Sequence, residues 1–262
     1  MIHRKLWLLA VLVALMPVAA WADWNVGDPH KMHYPQLPNP FGWDVNFGPP
    51  HRVLADDWLC TGTGPVTDIH FWVSIHGDVG PVPQFPAITA IRAMIYADKP
   101  ASGFEHSQPL TPAELPLWQK TFVPGQFTVR PPEMGVQGWF DPLPPVIVIP
   151  NDHFYFYQIN IKDIVDPFIQ QQGTIYWLGL HVDVDPLVSQ QIGWKTSLQH
   201  FNDDGVFWDV GGMGMAWHEL RDPLTMESLD LAFVITPEPS TWAMLVGALA
   251  IVLWTGARTR RR

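Results

Sequence analysis

Apolar and polar residues alternate with a period of two through much of the middle of this chain. In "VTDIHFWVSIH", Thr67, Ile69, Phe71, Val73 and Ile75 share one side, and Asp68, His70, Trp72, Ser74 and His76 the other. In "TIYWLGLHVDVD", Tyr176, Leu178, Leu180, Val182 and Val184 oppose Ile175, Trp177, Gly179, His181, Asp183 and Asp185. Such spacing places each set on one face of a strand. Further short runs rich in β-branched and aromatic residues lie between Pro/Gly turns, among them "AITAIRAMIYA", "PPVIVIP", "HFYFYQINI", "IGWKTS", "GVFWDV" and "SLDLAFVIT". Only "TPAELPLWQK" and "IVDPFIQQQG" hint at helix, and prolines interrupt both. Many short strands without amphipathic crossover helices predict an all-β fold, an antiparallel β-sandwich of jelly-roll or immunoglobulin-like form, over residues 51–236. Residues 23–50 include "YPQLPNPFGWDVNFGPP", show no period and read as an extended lead-in draped over the domain.

The two ends follow other rules. Residues 1–22 carry a basic head (Arg4, Lys5), an apolar run from Leu6 to Met16, and small residues ending in Ala20-Trp21-Ala22. This is the pattern of a secretory signal helix cleaved before Asp23, too short to span a membrane. It implies the export translocon and signal peptidase as partners. At the other end, residues 241–257 hold no charge; at about 1.5 Å per residue they reach roughly 25 Å as a helix, the short end of the spanning range. Trp242 and Trp254 flank the stretch, and Arg258, Arg260, Arg261 and Arg262 follow it, where a basic cluster resists translocation. Just before it, Pro237-Glu238-Pro239 favours extended, exposed backbone. The tripeptide, the transmembrane helix and the arginine tail, residues 237–262, together resemble a PEP-CTERM sorting signal. That resemblance implies recognition by an exosortase, processing near the tripeptide, transient anchoring in the membrane, and delivery to the cell surface or extracellular matrix.

Charge narrows the partners. Residues 23–236 contain nine Lys and Arg against 24 Asp and Glu, a net of −15. That excess repels phosphate backbones, so nucleic acid is not an expected partner. Cys60 is the sole cysteine, so an exported domain of this size has no internal disulfide and depends on its core or on bound ions. A buried, inert thiol is the simplest reading of Cys60.

Candidate chemistry is sparse. Asn202, Asp203, Asp204 and Gly205 form an oxygen-rich turn, and Asp56 and Asp57 supply a second acidic pair; brought together, they would suit a structural calcium ion. Asp183 and Asp185, at a strand end, offer a further acidic pair, although His181, Asp183 and Asp185 are spaced about 6.8 Å apart along a flat strand, too far for one ion to take all three. His70 and Trp72 on one strand face, with Trp177 and His181 on another, are either a solvated outer surface or a ligand platform. The exterior part holds ten tryptophans, whose rings stack on sugar faces where they are exposed and otherwise fill a core. No G-x-S-x-G or H-E-x-x-H occurs; "WHEL" begins like the latter and stops, and "GGMGM" lacks the lysine of a phosphate loop. No carboxylate spacing recommends a glycosidase pair.

The segments "VLADDWLCTGTGPVTDIHFWVSIHGD", "GWKTSLQHFNDDGVFWD" and "LDLAFVITPEP" resemble a family of bacterial exported PEP-CTERM proteins of unknown function. The resemblance implies location and a one-domain exterior, and it singles out Trp194, Lys195, Asn202 and Asp203 as either a site or a structural turn. The expectation is a non-catalytic exterior module that binds polysaccharide or envelope components. A purely structural matrix protein and an extracellular hydrolase are the alternatives.

Overall fold

The computed structural model describes residues 23–48, 52–209 and 215–236. The expected signal segment (1–22) and sorting signal (237–262) lie outside them. Among the described residues there is no helix, so none is long and apolar enough to cross a membrane.

Sixteen strands follow in chain order: β1 (Trp43–Asn46), β2 (Val53–Leu59), β3 (Gly64–Pro65), β4 (Asp68–Ile75), β5 (Ile88–Lys99), β6 (Gln108–Pro109), β7 (Trp118–Phe122), β8 (Phe127–Val129), β9 (Glu133–Asp141), β10 (Ile147–Ile161), β11 (Ile169–Gln170), β12 (Ile175–Val184), β13 (Ile192–Lys195), β14 (Val206–Trp208), β15 (Trp217–Glu219) and β16 (Phe233–Thr236). They form an all-β, sandwich-like unit over Trp24–Pro237. One sheet runs β16-β4-β13-β1-β9-β10-β8; the other runs β15-β14-β2-β12-β5-β6, with β7 also on β5. Strands β3 and β11 pair separately. The chain crosses between the large sheets at most connections.

β4 also pairs with β10, so β4, β13, β1, β9 and β10 close into a five-stranded ring. Every joint is antiparallel except the parallel pair β1–β9. This closure corrects the lead-in boundary. β1 lies between β13 and β9, and Met32, Gln36 and Pro38 make isolated bridges to Cys60, Phe233 and Ser197. A four-residue strand among prolines and glycines carries too few alternations to register as a period.

Between the sheets lies an aromatic core. Trp58 of one sheet meets Phe233 of the other with ring centres 6.2 Å apart, and Trp194 packs on Phe47, Phe71 and Phe233. Of the ten described tryptophans, nine are buried and Trp118 is half-buried. Rings of this size hide roughly 150–250 Å² each, or about 4–6 kcal/mol apiece at ~25 cal/mol/Å². That burial is where a domain without disulfides finds its stability; Cys60 is buried and its thiol meets the Gly62 carbonyl at 3.3 Å. The two helix hints fail. Residues 111–117 form turns before β7, and 169–170 are β11, because the prolines there leave too short a run to nucleate a helix.

Candidate functional site

The expected Trp/His platforms are interior. Trp72 and Trp177 are buried, as are His70 and His181. His70 bonds Asn160 at 2.6 Å and Thr236 at 3.2 Å; Trp72 meets the edge of Trp24; the Trp177 indole donates to Asp98 at 2.8 Å; His181 bonds the Arg52 carbonyl at 2.6 Å and Asp183 at 3.1 Å. These four residues therefore cannot stack on a sugar. Alternation correctly separated the faces of β4 and β12, but both faces are covered: β4 by the ring it helps to close, β12 by the segment carrying Ala113, which packs with Met94, Tyr96, Trp177 and Trp217.

Inside the ring sits a network that includes one residue from each of its five strands. Ser74 donates to Gln137 at 3.0 Å; Lys195 donates to Asp44 at 3.1 Å and to Gln137; His153 bonds Asp44 at 2.9 Å. All five are fully buried. Asp152 joins His153 at 2.9 Å and His76 at 2.8 Å. Burial pushes the Asp44 carboxyl up, but Lys195 and His153 more than offset it, leaving it below the usual range. Burial lowers the Lys195 ammonium, and Asp44 restores only part of the loss. Burial also lowers His153, and its two aspartates override that and raise it. Asp152, opposed by burial, is pulled down to about 2 by His153, His76 and the Gly77 N–H. Gly193 keeps this interior passable, since a Cβ there would lie 2.9 Å from both Asp44 and Trp139. The sequence signal was a lysine inside an apolar strand, "IGWK".

The oxygen-rich residues converge in part. Alternation sends Asp56 and Asp57 to opposite faces of β2. Asp56 accepts from Gln36 at 3.1 Å and from the Leu231 N–H; Asp230 accepts from the Phe201 N–H at 2.7 Å and from His200 at 3.2 Å. Asp57 accepts from Asn202 at 2.5 Å, and Asp203 accepts from the Ser107 N–H at 2.7 Å, so the turn does reach β2. Burial pushes Asp57 up to about 9 despite the Asn202 bond, Asp230 up to about 6, and Asp56 well above the ordinary carboxylate range. Separately, oxygens of Asp203, Asp204 and Glu219 lie within 4.8 Å of one another, a spacing that a cation could bridge. Arg221 already stands there, 2.7 Å from Asp204 and 3.1 Å from Glu219. Asp183 holds His181, and Asp185 caps a turn through the Leu187 N–H at 2.9 Å, so neither joins this group.

An open cleft lies elsewhere, where the chain entering β1, the segment leaving β13 and the loop before β16 meet. It encloses about 200 Å³ and is lined by Asn39, Phe41, Gly42, Trp43, Thr196–Leu198, His200, Asp222 and Glu227–Leu229. Backbone bonds fix its walls: Asn39 N–H to the Thr196 carbonyl at 2.8 Å, Thr196 N–H to Trp43 at 2.9 Å, and Ser197 N–H to Asp230 at 2.8 Å. A Cβ on Gly42 would come within 2.4 Å of the Thr196 hydroxyl oxygen, so glycine keeps these segments close. Phe41 stands at the cleft with 73% of its surface exposed. The Trp43 indole donates to Asp222 at 2.7 Å, and the other Asp222 oxygen accepts from the Leu224 and Thr225 N–H groups at 2.8 and 2.9 Å. Burial pushes Asp222 up, but these donors outweigh it and hold the carboxyl below its ordinary value, hence charged. Glu227 is exposed and accepts from the Thr225 hydroxyl at 3.2 Å. In the sequence Trp43 is one of ten undistinguished tryptophans in residues 23–236, and "RDPLTMES" is an irregular loop with no period to read.

No curated protein and no solved structure matches the chain. Residues 32–236, nearly the whole of the described unit, match the domain of unknown function DUF7901. This chain belongs to the DUF7901 family.

Proposed function

We propose that the chain is an exported, exosortase-sorted protein of the cell surface or extracellular matrix, whose β-sandwich binds polysaccharide without catalysis through the cleft at Phe41 and Trp43. In this reading residues 1–22 are the signal helix, 241–257 the transient membrane helix, and the sandwich is of jelly-roll type, since the chain crosses repeatedly between its sheets. The cleft carries the reading. It joins an exposed aromatic ring to fixed carboxylate and amide groups, the chemistry that recognises a sugar's apolar face and its hydroxyls. At about 200 Å³ it is smaller than the ~300–1,000 Å³ typical of a whole ligand, which suits one residue of a polymer. Binding is favoured over hydrolysis because a glycosidase pair needs one carboxyl raised by an apolar setting, whereas Asp222 is held low by three donors and Glu227 is exposed.

The purely structural reading draws on a different observation, the burial of nearly every tryptophan, which leaves few rings for stacking. A glycan array and the producer's own matrix polymer, probed with the purified full chain and with Phe41→Ala, separate the two. The binding reading expects retention by the parent and loss on Phe41→Ala. Failure across a broad panel would overturn it.

A further inference from the structure

The charge of the cleft narrows its ligand. Two carboxylates line it, Asp222 and Glu227, and among the described lining residues there is no Lys or Arg. His200 is the one lining side chain able to carry positive charge, and its ring bonds Asp230, 3.2 Å away. Arg221, next in sequence to Asp222, is committed to Asp204 and Glu219. Three N–H donors hold Asp222 in its charged form, so its orientation and charge are set before any ligand arrives. A carboxylate pair offers about four acceptor sites per group and no donor. Three of the Asp222 sites are taken by these N–H groups and the Thr225 hydroxyl also reaches it, whereas one of the Glu227 oxygens accepts only that hydroxyl, so the free acceptor capacity lies on Glu227 and Asp222 contributes mainly its charge. A uronate or sulfated sugar would place like charge against these groups, in a domain that already carries a net −15 over residues 23–236. A protonated amine would instead make charge-assisted bonds to them.

We propose that the cleft selects an amine-bearing sugar: a glycan residue whose ring lies on Phe41 and whose ammonium group is held by Glu227 and Asp222. The inference rests on the glycan-binding reading above and goes one step further, to the class of sugar.

The test uses the purified full chain and three soluble oligomers: β-1,4-glucosamine, its fully N-acetylated counterpart, and oligogalacturonate. By calorimetry, the glucosamine oligomer binds, N-acetylation weakens it about tenfold, and oligogalacturonate neither binds nor competes; tenfold corresponds to ~1.4 kcal/mol, close to the lower end of the ~1.5–3 kcal/mol for one hydrogen bond to a charged group. Glu227→Gln brings the amine-bearing and acetylated oligomers to parity. Glu114→Gln, which removes an exposed carboxylate outside the cleft, leaves the preference intact. Equal or tighter binding of the acetylated or anionic oligomer overturns the amine selectivity while leaving a glycan site in place. Equal loss from Glu227→Gln and Glu114→Gln would mark general attraction of a polycation and also overturns it. Binding of none of the three, together with a blank glycan array, overturns the glycan-binding reading itself.

Discussion

Replacing Asp57 by Asn removes a carboxyl group from a fully buried position, where its Oδ1 meets no hydrogen-bond partner among the described residues and its Oδ2 accepts from Asn202. Burial pushes this carboxyl up to about 9, so the folded protein keeps its proton through neutral pH. The unfolded chain releases it near 3.8. Between those values the native state binds one more proton than the unfolded state, and stability falls by about 1.4 kcal/mol per pH unit from this group alone. The contribution is whole below pH 4 and is progressively lost up to about pH 9. Asp230, pushed up to about 6, adds a second slope between about pH 4 and 6. Asn at position 57 keeps the shape and an amide oxygen for Asn202 but has no proton to lose. Asp57→Asn should therefore gain on the parent by about 4 kcal/mol between pH 5 and pH 8. Urea unfolding followed by tryptophan fluorescence at pH 5, 6, 7 and 8 measures the difference. Parallel curves for the two proteins would refute the reasoning and show that Asp57 is ionised in the fold, with a cation or solvent at its free oxygen.

Lys195→Ala leaves Asp44 and Gln137 without their ammonium partner in the ring and should cost about 3–5 kcal/mol in denaturant unfolding; a loss below 1 kcal/mol would mean the network is solvated. Gly193→Ala drives a methyl to 2.9 Å from Asp44 and Trp139 and should cost about 1–3 kcal/mol by overpacking, with a lowered melting temperature. Arg221→Ala strips the guanidinium from Asp204 and Glu219 and should cost about 1–2 kcal/mol, since the arginine is itself part-exposed. Calcium should then raise the melting temperature of that variant more than that of the parent, because the three carboxylates would be open to a cation; equal responses would refute the role given to Arg221.

Strand positions were readable because period two survives in long runs, and β4 and β12 lie where alternation put them, while β5 lies where the run "AITAIRAMIYA" put it. What covers each face was not readable. "DIHFWVSI" shows a clean apolar side and a mixed one, but whether the mixed side meets water depends on β10 returning to pair with β4, a contact between residues about ninety apart. "PPVIVIP" and "HFYFYQINI" look like two runs and form one strand, β10, because a register shift passes through Asn151, whose φ is 56°. The oxygen-rich character of the Asn202 turn and of Asp56-Asp57 was legible, but the contact of Asn202 with Asp57 was only a condition placed on a calcium site. The neutralisation of that turn at Asp204 by Arg221 was not legible, since that pairing depends on tertiary placement of a loop without periodicity.

The ring also sets a timetable. β1 is held between β9 and β13, so no amount of early synthesis lets residues 43–46 reach their final neighbours before residue 195 is available. Contacts so far apart in sequence form slowly. If the chain is exported from its leading end, as proposed above, other strand pairs can form on the way, but the ring closes only after residue 195 has crossed.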